Sequence, residues 1–102
     1  MWLCFNNAFV SAVADRDDPN RLMVRARRRE HLVNLFGADA DIIEGAGTDY
    51  KYRVFIERRV LADLAHKTLM SLGYDNFKNS VKDDDLHDLY SDFWELHYEM
   101  QK

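Results

Sequence analysis

Hydrophobic and polar positions alternate along the first half of the chain with the period of two that β-strands produce. The clearest case is residues 21–27, where Leu22, Val24 and Ala26 point one way and three arginines and a methionine point the other. This alternation predicts a half-buried strand. Strands are also predicted in four further segments: residues 2–5, 8–14, 41–44 and 50–56.

Short polar segments separate these strands. Asn6 and Asn7 predict a hairpin between the first two, because asparagine tolerates the positive φ that tight hairpin turns favour. The Pro19 loop precedes residues 21–27, and the glycine-rich residues 45–48 predict a second hairpin turn.

Apolar residues spaced three and four positions apart predict helices in the rest of the chain. Residues 29–36 and 58–72 each carry one apolar side, and Gly37 and Gly73 follow where a helix end favours glycine. The last twenty residues predict another helix, whose first turn the acids at 83–85 would cap.

The predicted order of elements is β-β-β-α-β-β-α-α in a single α+β domain that spans residues 1–102. Residues 21–72 follow the pattern β-α-β-β-α, which is most of a ferredoxin-like unit. The N-terminal hairpin would replace the missing last strand, giving a five-stranded antiparallel sheet in the order 1-2-3-5-4. The two middle helices would cover one face, and the C-terminal helix would lie across a side or edge.

Composition places the chain among globular proteins, with 47% hydrophobic and 31% charged residues in 102 positions. The single cysteine, Cys4, fits a reducing, cytoplasmic environment. Residues 1–5 are apolar, but Asn6 and Asn7 interrupt the run, so we expect neither a targeting segment nor a transmembrane helix.

The last helix carries three different sides. An apolar side would face the core and would bury His97 as a hydrogen-bonded histidine. Aromatic and acidic stripes remain, and they make this helix a candidate protein-interaction surface. Its candidate residues are Trp94, Tyr98, His87, Asp88, Asp92, Glu95 and Glu99. Spaced carboxylates on a rigid helix are also compatible with mimicry of a phosphate backbone.

The outward side of the third strand forms a second candidate surface, for anions or nucleic acid, consisting of Arg21, Arg25, Arg27 and Arg53. Arginine suits phosphates and carboxylates, and Tyr50 and Tyr52 would be stacking platforms for bases. Three interpretations stay open: pairing with acids of the C-terminal helix, an acidic protein partner, or nucleic acid. The net charge of −4 weighs against nucleic acid.

Catalytic and metal-binding signals are weak. Cys4 lies in an apolar strand with no base nearby in sequence, which indicates a structural thiol. Asp83, Asp84, His87 and Asp88 are one helical turn apart, but no second element supplies further ligands. We therefore expect no catalytic residues, no metal and no cofactor, and a protein that is not an enzyme.

The sequence resembles a family of small uncharacterised proteins found in bacterial genomes and their phages or integrated elements. The resemblance implies no activity and no cofactor, and it favours an origin in a mobile element. The matching segments are residues 1–2, 9–13, 18–27, 47–53 and 74–81, and the closing pattern Tyr90, Trp94, Tyr98 and Gln101.

Together these observations predict a non-catalytic protein-interaction module that binds a protein partner, or a second copy as a homodimer, through the acidic-aromatic C-terminal helix. A phage-encoded inhibitor of host defence, of the anti-CRISPR kind, is one form of such a module. The alternative is a nucleic-acid-binding module that uses the arginine-lined sheet face. Neither function involves a membrane.

Overall fold

The computed structural model describes residues 1–45 and 49–102. Of the predicted turn at 45–48, Gly45 is described and has a φ of 72°, and the other three residues lie outside the described ranges. The elements are β1 Trp2–Phe5, β2 Ala8–Ala14, β3 Arg21–Ala26, α1 Arg29–Phe36, β4 Ile43–Glu44, β5 Tyr52–Glu57, α2 Arg58–Met70, α3 Phe77–Ser80 and α4 Asp84–Tyr98, followed by a 3-10 turn Glu99–Gln101.

The strands form one antiparallel sheet in the order β1-β2-β3-β5-β4, which confirms the predicted α+β fold and strand order. The N-terminal hairpin occupies the place beside β3 that the last strand takes in a ferredoxin-like unit. Helix α2 is shorter than predicted, because it ends at Met70 and Ser71 caps it.

One face of the sheet carries the main core, because every second side chain of the inner strands points toward α1 and α2. Leu32 from α1 and Leu61 from α2 are buried against these strand residues. The strand residues of this core are Val10, Ala12, Val24, Ala26 and Val54. The alternation read from residues 21–27 therefore identifies the buried side of β3 correctly.

The hairpin between β1 and β2 forms as predicted, but not for the predicted reason. Phe5 and Ala8 are direct partners, so Asn6 and Asn7 make a two-residue connection. No described residue other than glycine has a positive φ, which excludes the mirror-image turns that favour asparagine. The turn is instead held from outside, where Asn34 Nδ2 of α1 donates to the carbonyl oxygen of Asn7 at 2.8 Å.

Helix α4 covers the second face of the sheet at its β1–β2 end. The rings of Tyr90 and Phe93 pack against Phe9 of β2, and Trp2 of β1 stacks on Phe93. The Tyr90 hydroxyl donates to the hairpin, with the carbonyl oxygens of Phe5 and Ala8 at 2.8 and 2.9 Å. Its burial raises the pKa of Tyr90, so this hydroxyl stays protonated.

The start of α4 is fixed by the predicted cap and by the connector before it. The Asp83 carboxylate accepts a hydrogen bond from the backbone N–H of Leu86 at 2.9 Å. Within the connector, Phe77 packs on Tyr90, and Asn76 accepts from the N–H of Asn79. The acids at 83–85 thus have the predicted structural role.

The apolar side of α4 is buried only in part. Leu86 and Tyr90 are buried, but Leu96 is 70% exposed and His97 is also exposed. The prediction that His97 is a core histidine is therefore wrong. The helix extends past the hydrophobic cluster on the sheet, so its last two turns have no core to enter.

The buried histidine is His31, in the first turn of α1. Its Nδ1 lies 3.3 Å from the backbone nitrogen of Phe9 and accepts that N–H. Phe9 lies beyond the end of β3, so the imidazole replaces a missing strand partner. An accepting Nδ1 must be unprotonated, and burial lowers the pKa of His31.

Replacing Tyr90 with phenylalanine removes the hydroxyl that joins α4 to the hairpin. We expect Tyr90→Phe to lower the free energy of unfolding in urea by about 1–2 kcal/mol, because two part-buried carbonyl groups lose their donor. Tyr98→Phe is the matched control at a half-exposed position. Equal stabilities of the two variants would contradict the role of the Tyr90 hydroxyl.

Stability depends on pH through His31. Because its folded pKa lies below the unfolded value of 6.5, the unfolded chain binds a proton first, and stability is lost as pH falls below about 6.5 toward the folded pKa. His31→Gln abolishes this loss, whereas His66→Gln, at an exposed position, preserves it. Urea unfolding between pH 7 and 5 measures the slopes, and a wild-type slope retained in His31→Gln refutes the assignment.

Candidate protein-binding groove and arginine face

A groove of about 830 Å³ lies between β1, α3 and the second half of α4. It exists because α4 leaves the hydrophobic cluster and continues over the edge of the sheet. Lys78, His97, Asp75 and Cys4 are polar groups of its wall. Its apolar residues are Trp2, Phe77, Tyr90, Phe93, Trp94 and Leu96. We call this feature the aromatic groove.

The predicted aromatic stripe is exposed at the rim of this groove. Trp94 is 48% exposed and Tyr98 43%, and their rings stack with centroids 5.8 Å apart. Lys78 Nζ lies 4.3 Å from the Trp94 ring centroid, and Lys102 Nζ lies 5.7 Å from that of Tyr98. These cation–π contacts hold the two rings as a flat, half-exposed platform.

The acidic side of α4 points away from the sheet. Asp88, Asp92, Glu95 and Glu99 are all exposed, and His87 is half-buried beside Asp88. Within the part of the chain that the structure describes, Asp92 and Glu95 make no ion pair, and Glu99 pairs with Lys102 at 3.0 Å. The predicted interaction residues therefore form two adjacent surfaces, one aromatic and one acidic.

The half of the second sheet face that α4 leaves open carries the predicted arginines. Arg25 of β3 and Arg53 of β5 are direct cross-strand partners. The guanidinium carbons of Arg25 and Arg27 lie 4.7 and 4.2 Å from the centroid of the Tyr50 ring. Together with Arg21 these residues form a cationic surface, which we call the arginine face.

The arginines of this face do not all find acids. Arg21 binds Asp15 at 2.7 Å, and Asp15 has a lowered pKa because it accepts hydrogen bonds from the N–H of Asp17 and from Arg21. Arg25 donates to Ser11 Oγ at 3.0 Å, and neither Arg25 nor Arg27 has an ion pair among the described residues.

The interpretation that the arginine face pairs with the C-terminal helix of the same molecule is therefore wrong for Arg21, Arg25 and Arg27. Arg28, which follows β3, makes that contact instead, with Asp85 at 2.7 Å. The Arg28 side chain can reach Asp85, because Arg28 lies past the end of β3 and near the start of α4.

The proposed stacking platforms for nucleic-acid bases are not accessible. Tyr50 is only 7% exposed and lies beneath two guanidinium groups. Tyr52 packs against the main core on the opposite face. The arginine face therefore offers charge without the exposed aromatic rings on which single-stranded bases stack.

Cys4 lies where the aromatic groove meets a second cavity of about 450 Å³, which the end of α2 borders. Cys4 is exposed as a residue, but partial burial of its thiol raises the pKa of that group, and the Tyr90 hydroxyl lowers it to a smaller extent. A raised pKa opposes the thiolate form that a nucleophile requires. The thiol therefore lines both cavities without a signal of activation.

Within residues 1–45 and 49–102, no three His, Cys, Asp or Glu side chains come together as a set that could hold a metal ion. Of the acids predicted near His87, only Asp88 lies within 4 Å of its imidazole, at 3.7 Å from Nδ1. No helix in these ranges is long and apolar enough to cross a membrane.

Comparisons with protein-family models, curated proteins and solved structures gave no match to this chain. The resemblance to small bacterial and phage proteins stays a prediction. Function is therefore argued from the surfaces alone, because a fold by itself does not imply one.

Alkylation measures the state of Cys4. We expect iodoacetamide to react with the folded protein along a pH profile displaced to higher pH than that of the same chain in urea, because burial disfavours the thiolate. Mass spectrometry follows the modified fraction. A folded profile at lower pH than the unfolded one would identify an activated thiol and contradict the assignment.

Proposed function

We propose that this protein is a non-catalytic protein-interaction module that binds a partner through the aromatic groove and its rim. The observation that carries the proposal is the half-exposed stack of Trp94 and Tyr98 beside a largely apolar groove. Large aromatic side chains supply much of the energy at protein interfaces. Their two rigid rings are also ordered before binding, which lowers the entropic cost of association.

The groove and its surroundings define the chemistry of the partner. An apolar segment fits the walls of Phe77, Phe93 and Leu96, because burying such surfaces removes them from water. Lysines or arginines that flank this segment would meet the exposed carboxylate of Glu95 on the next side of α4. The partner that fits best is therefore a protein segment with apolar residues bordered by basic ones.

A host-defence inhibitor encoded by a phage or mobile element is one form of this module. Proteins that bind nucleic acid present basic surfaces, and carboxylates at helical spacing imitate a phosphate backbone. Asp88, Asp92 and Glu95 are exposed on α4, and Glu99 is exposed in the 3-10 turn that follows it, which supports this form of the proposal. The anti-CRISPR role belongs to the same proposal and rests on this acidity together with the resemblance.

Nucleic-acid binding through the arginine face is the second candidate. Arg25 and Arg27 favour it, because they make no ion pair within the described ranges. The buried position of Tyr50 weighs against it. Affinity for DNA or RNA that falls steeply with salt, and is lost in Arg25→Ala with Arg27→Ala, would support this candidate instead.

The groove proposal predicts a defined pattern of partner loss. A host protein captured by the wild type should be lost with Trp94→Ala and Tyr98→Ala, and retained with Val60→Ala and Met70→Ala. The control pair removes comparably exposed apolar surface from α2. Quantitative mass spectrometry compares the captures, and titration of the purified partner should then show at least about a tenfold weaker affinity for Trp94→Ala.

The control decides the interpretation. Equal loss in both pairs would show that exposed apolar surface binds non-specifically. A purified partner that binds the α4 variant as tightly as the wild type would contradict the groove as the binding site.

A further inference from the structure

The second face of the sheet has the shape of a step. Helix α4 rises over the β1–β2 end, where it contacts Trp2, Phe9 and the hairpin. Among residues 1–45 and 49–102, no helix packs over the half formed by β3 and β5, which carries the arginine face. We call α4, where it lies over β1 and β2, the ridge, and we call the surface of β3 and β5 beside it the notch.

The notch is as wide as a helix. Two neighbouring strands span about 10 Å at about 4.8 Å per strand, and a helix with its side chains is about 10–12 Å across. A second α4 would therefore fit on β3 and β5 beside the first, at an ordinary distance between helix axes of about 8–10 Å.

The charges of ridge and notch are complementary but do not meet within one molecule. The ridge presents Asp88 and Asp92 on the side of α4 that points away from its own sheet. The notch presents Arg25 and Arg27, which make no ion pair among the described residues. Placed on another copy's notch, a ridge would turn its acidic side toward these guanidinium groups.

The side of α4 that borders the notch is uncovered. Asp85 marks this side, because it pairs with Arg28 just past the end of β3, while Trp94 on the other side contacts Lys78 of α3. Leu89 and Asp92, one and two turns after Asp85, share this side and are exposed. A helix that filled the notch would cover Leu89.

We propose that two copies of this chain associate through these faces about a twofold axis, with each α4 lying in the notch of the other copy. A twofold axis makes the contact reciprocal, because every ridge–notch pair occurs twice. Arg25 and Arg27 of each copy then face Asp88 and Asp92 of the other, and the two α4 helices pack side by side through Leu89.

This proposal goes beyond the aromatic groove and does not depend on it. Trp94 and Tyr98 lie on the flank of α4 that faces α3, away from the notch. A homodimer would leave that flank open. Trp94→Ala should therefore leave the association unchanged, which separates a failure of the groove from a failure of the dimer.

Charge reversal with rescue tests the dimer. Analytical ultracentrifugation should give twice the chain mass of 12.1 kDa for the wild type, with dissociation promoted by salt. We expect two double variants to weaken the dimer at least about tenfold each. The first is Arg25→Glu with Arg27→Glu, and the second is Asp88→Lys with Asp92→Lys. The two variants mixed together should form a heterodimer, because both of its contacts regain opposite charges.

Matched controls come from α2. Arg59→Glu with Asp63→Lys reverses an exposed pair on the other side of the molecule and should leave the dimer intact. The lysine variant of α4 changes only exposed positions, so it keeps the test valid if the glutamate variant folds poorly.

Three outcomes overturn the proposal. The first is a wild type that remains monomeric up to about 1 mM, the range of the weakest associations. The second is a dimer that neither reversal weakens. The third is a monomer whose arginine face binds a single-stranded oligonucleotide, because nucleic acid rather than a second copy would then be the occupant.

Discussion

The docking of α4 on the β1–β2 hairpin is the interaction on which the other features depend. Tyr90 joins them through its buried ring and through a hydroxyl that donates to the hairpin carbonyls, and Phe93 adds ring contacts to Phe9 and Trp2. Because the helix is fixed at that end, its second half extends past the cluster and forms the aromatic groove. Because it is fixed to one half of the sheet, the other half stays open.

The open half has an energetic consequence. Arg25 and Arg53 are direct cross-strand partners, and like charges in that relation destabilise a sheet. Packing of Arg25 and Arg27 against the Tyr50 ring and the hydrogen bond to Ser11 offset part of this cost. An acidic surface placed over Arg25 and Arg27 would add opposite charge to this face, and the exposed carboxylates of α4 have the right chemistry.

Local patterns predicted the elements well, and long-range packing escaped them. Alternation in residues 21–27 depends on the pleat of one strand, so it identified the buried side of β3. Helical spacing in α4 shows which residues share a side, but not how far the underlying surface extends, so it places His97 in a core that this residue never reaches. His31 has no local signal, because its partner, the N–H of Phe9, is 22 residues away in sequence. The aromatic groove needs three distant elements, and only Trp94 and Tyr98 indicated it.

Nuclear Overhauser contacts from the rings of Tyr90 and Phe93 test the placement of α4 most directly. They are best measured on a monomeric sample, such as the Arg25→Glu, Arg27→Glu variant at low concentration. We expect cross-peaks to Phe9 and Trp2, and none to Met23 or Phe55 on the open half of the sheet. Contacts to Met23 or Phe55 within a monomer would place the helix over the arginine face and contradict both the groove and the notch.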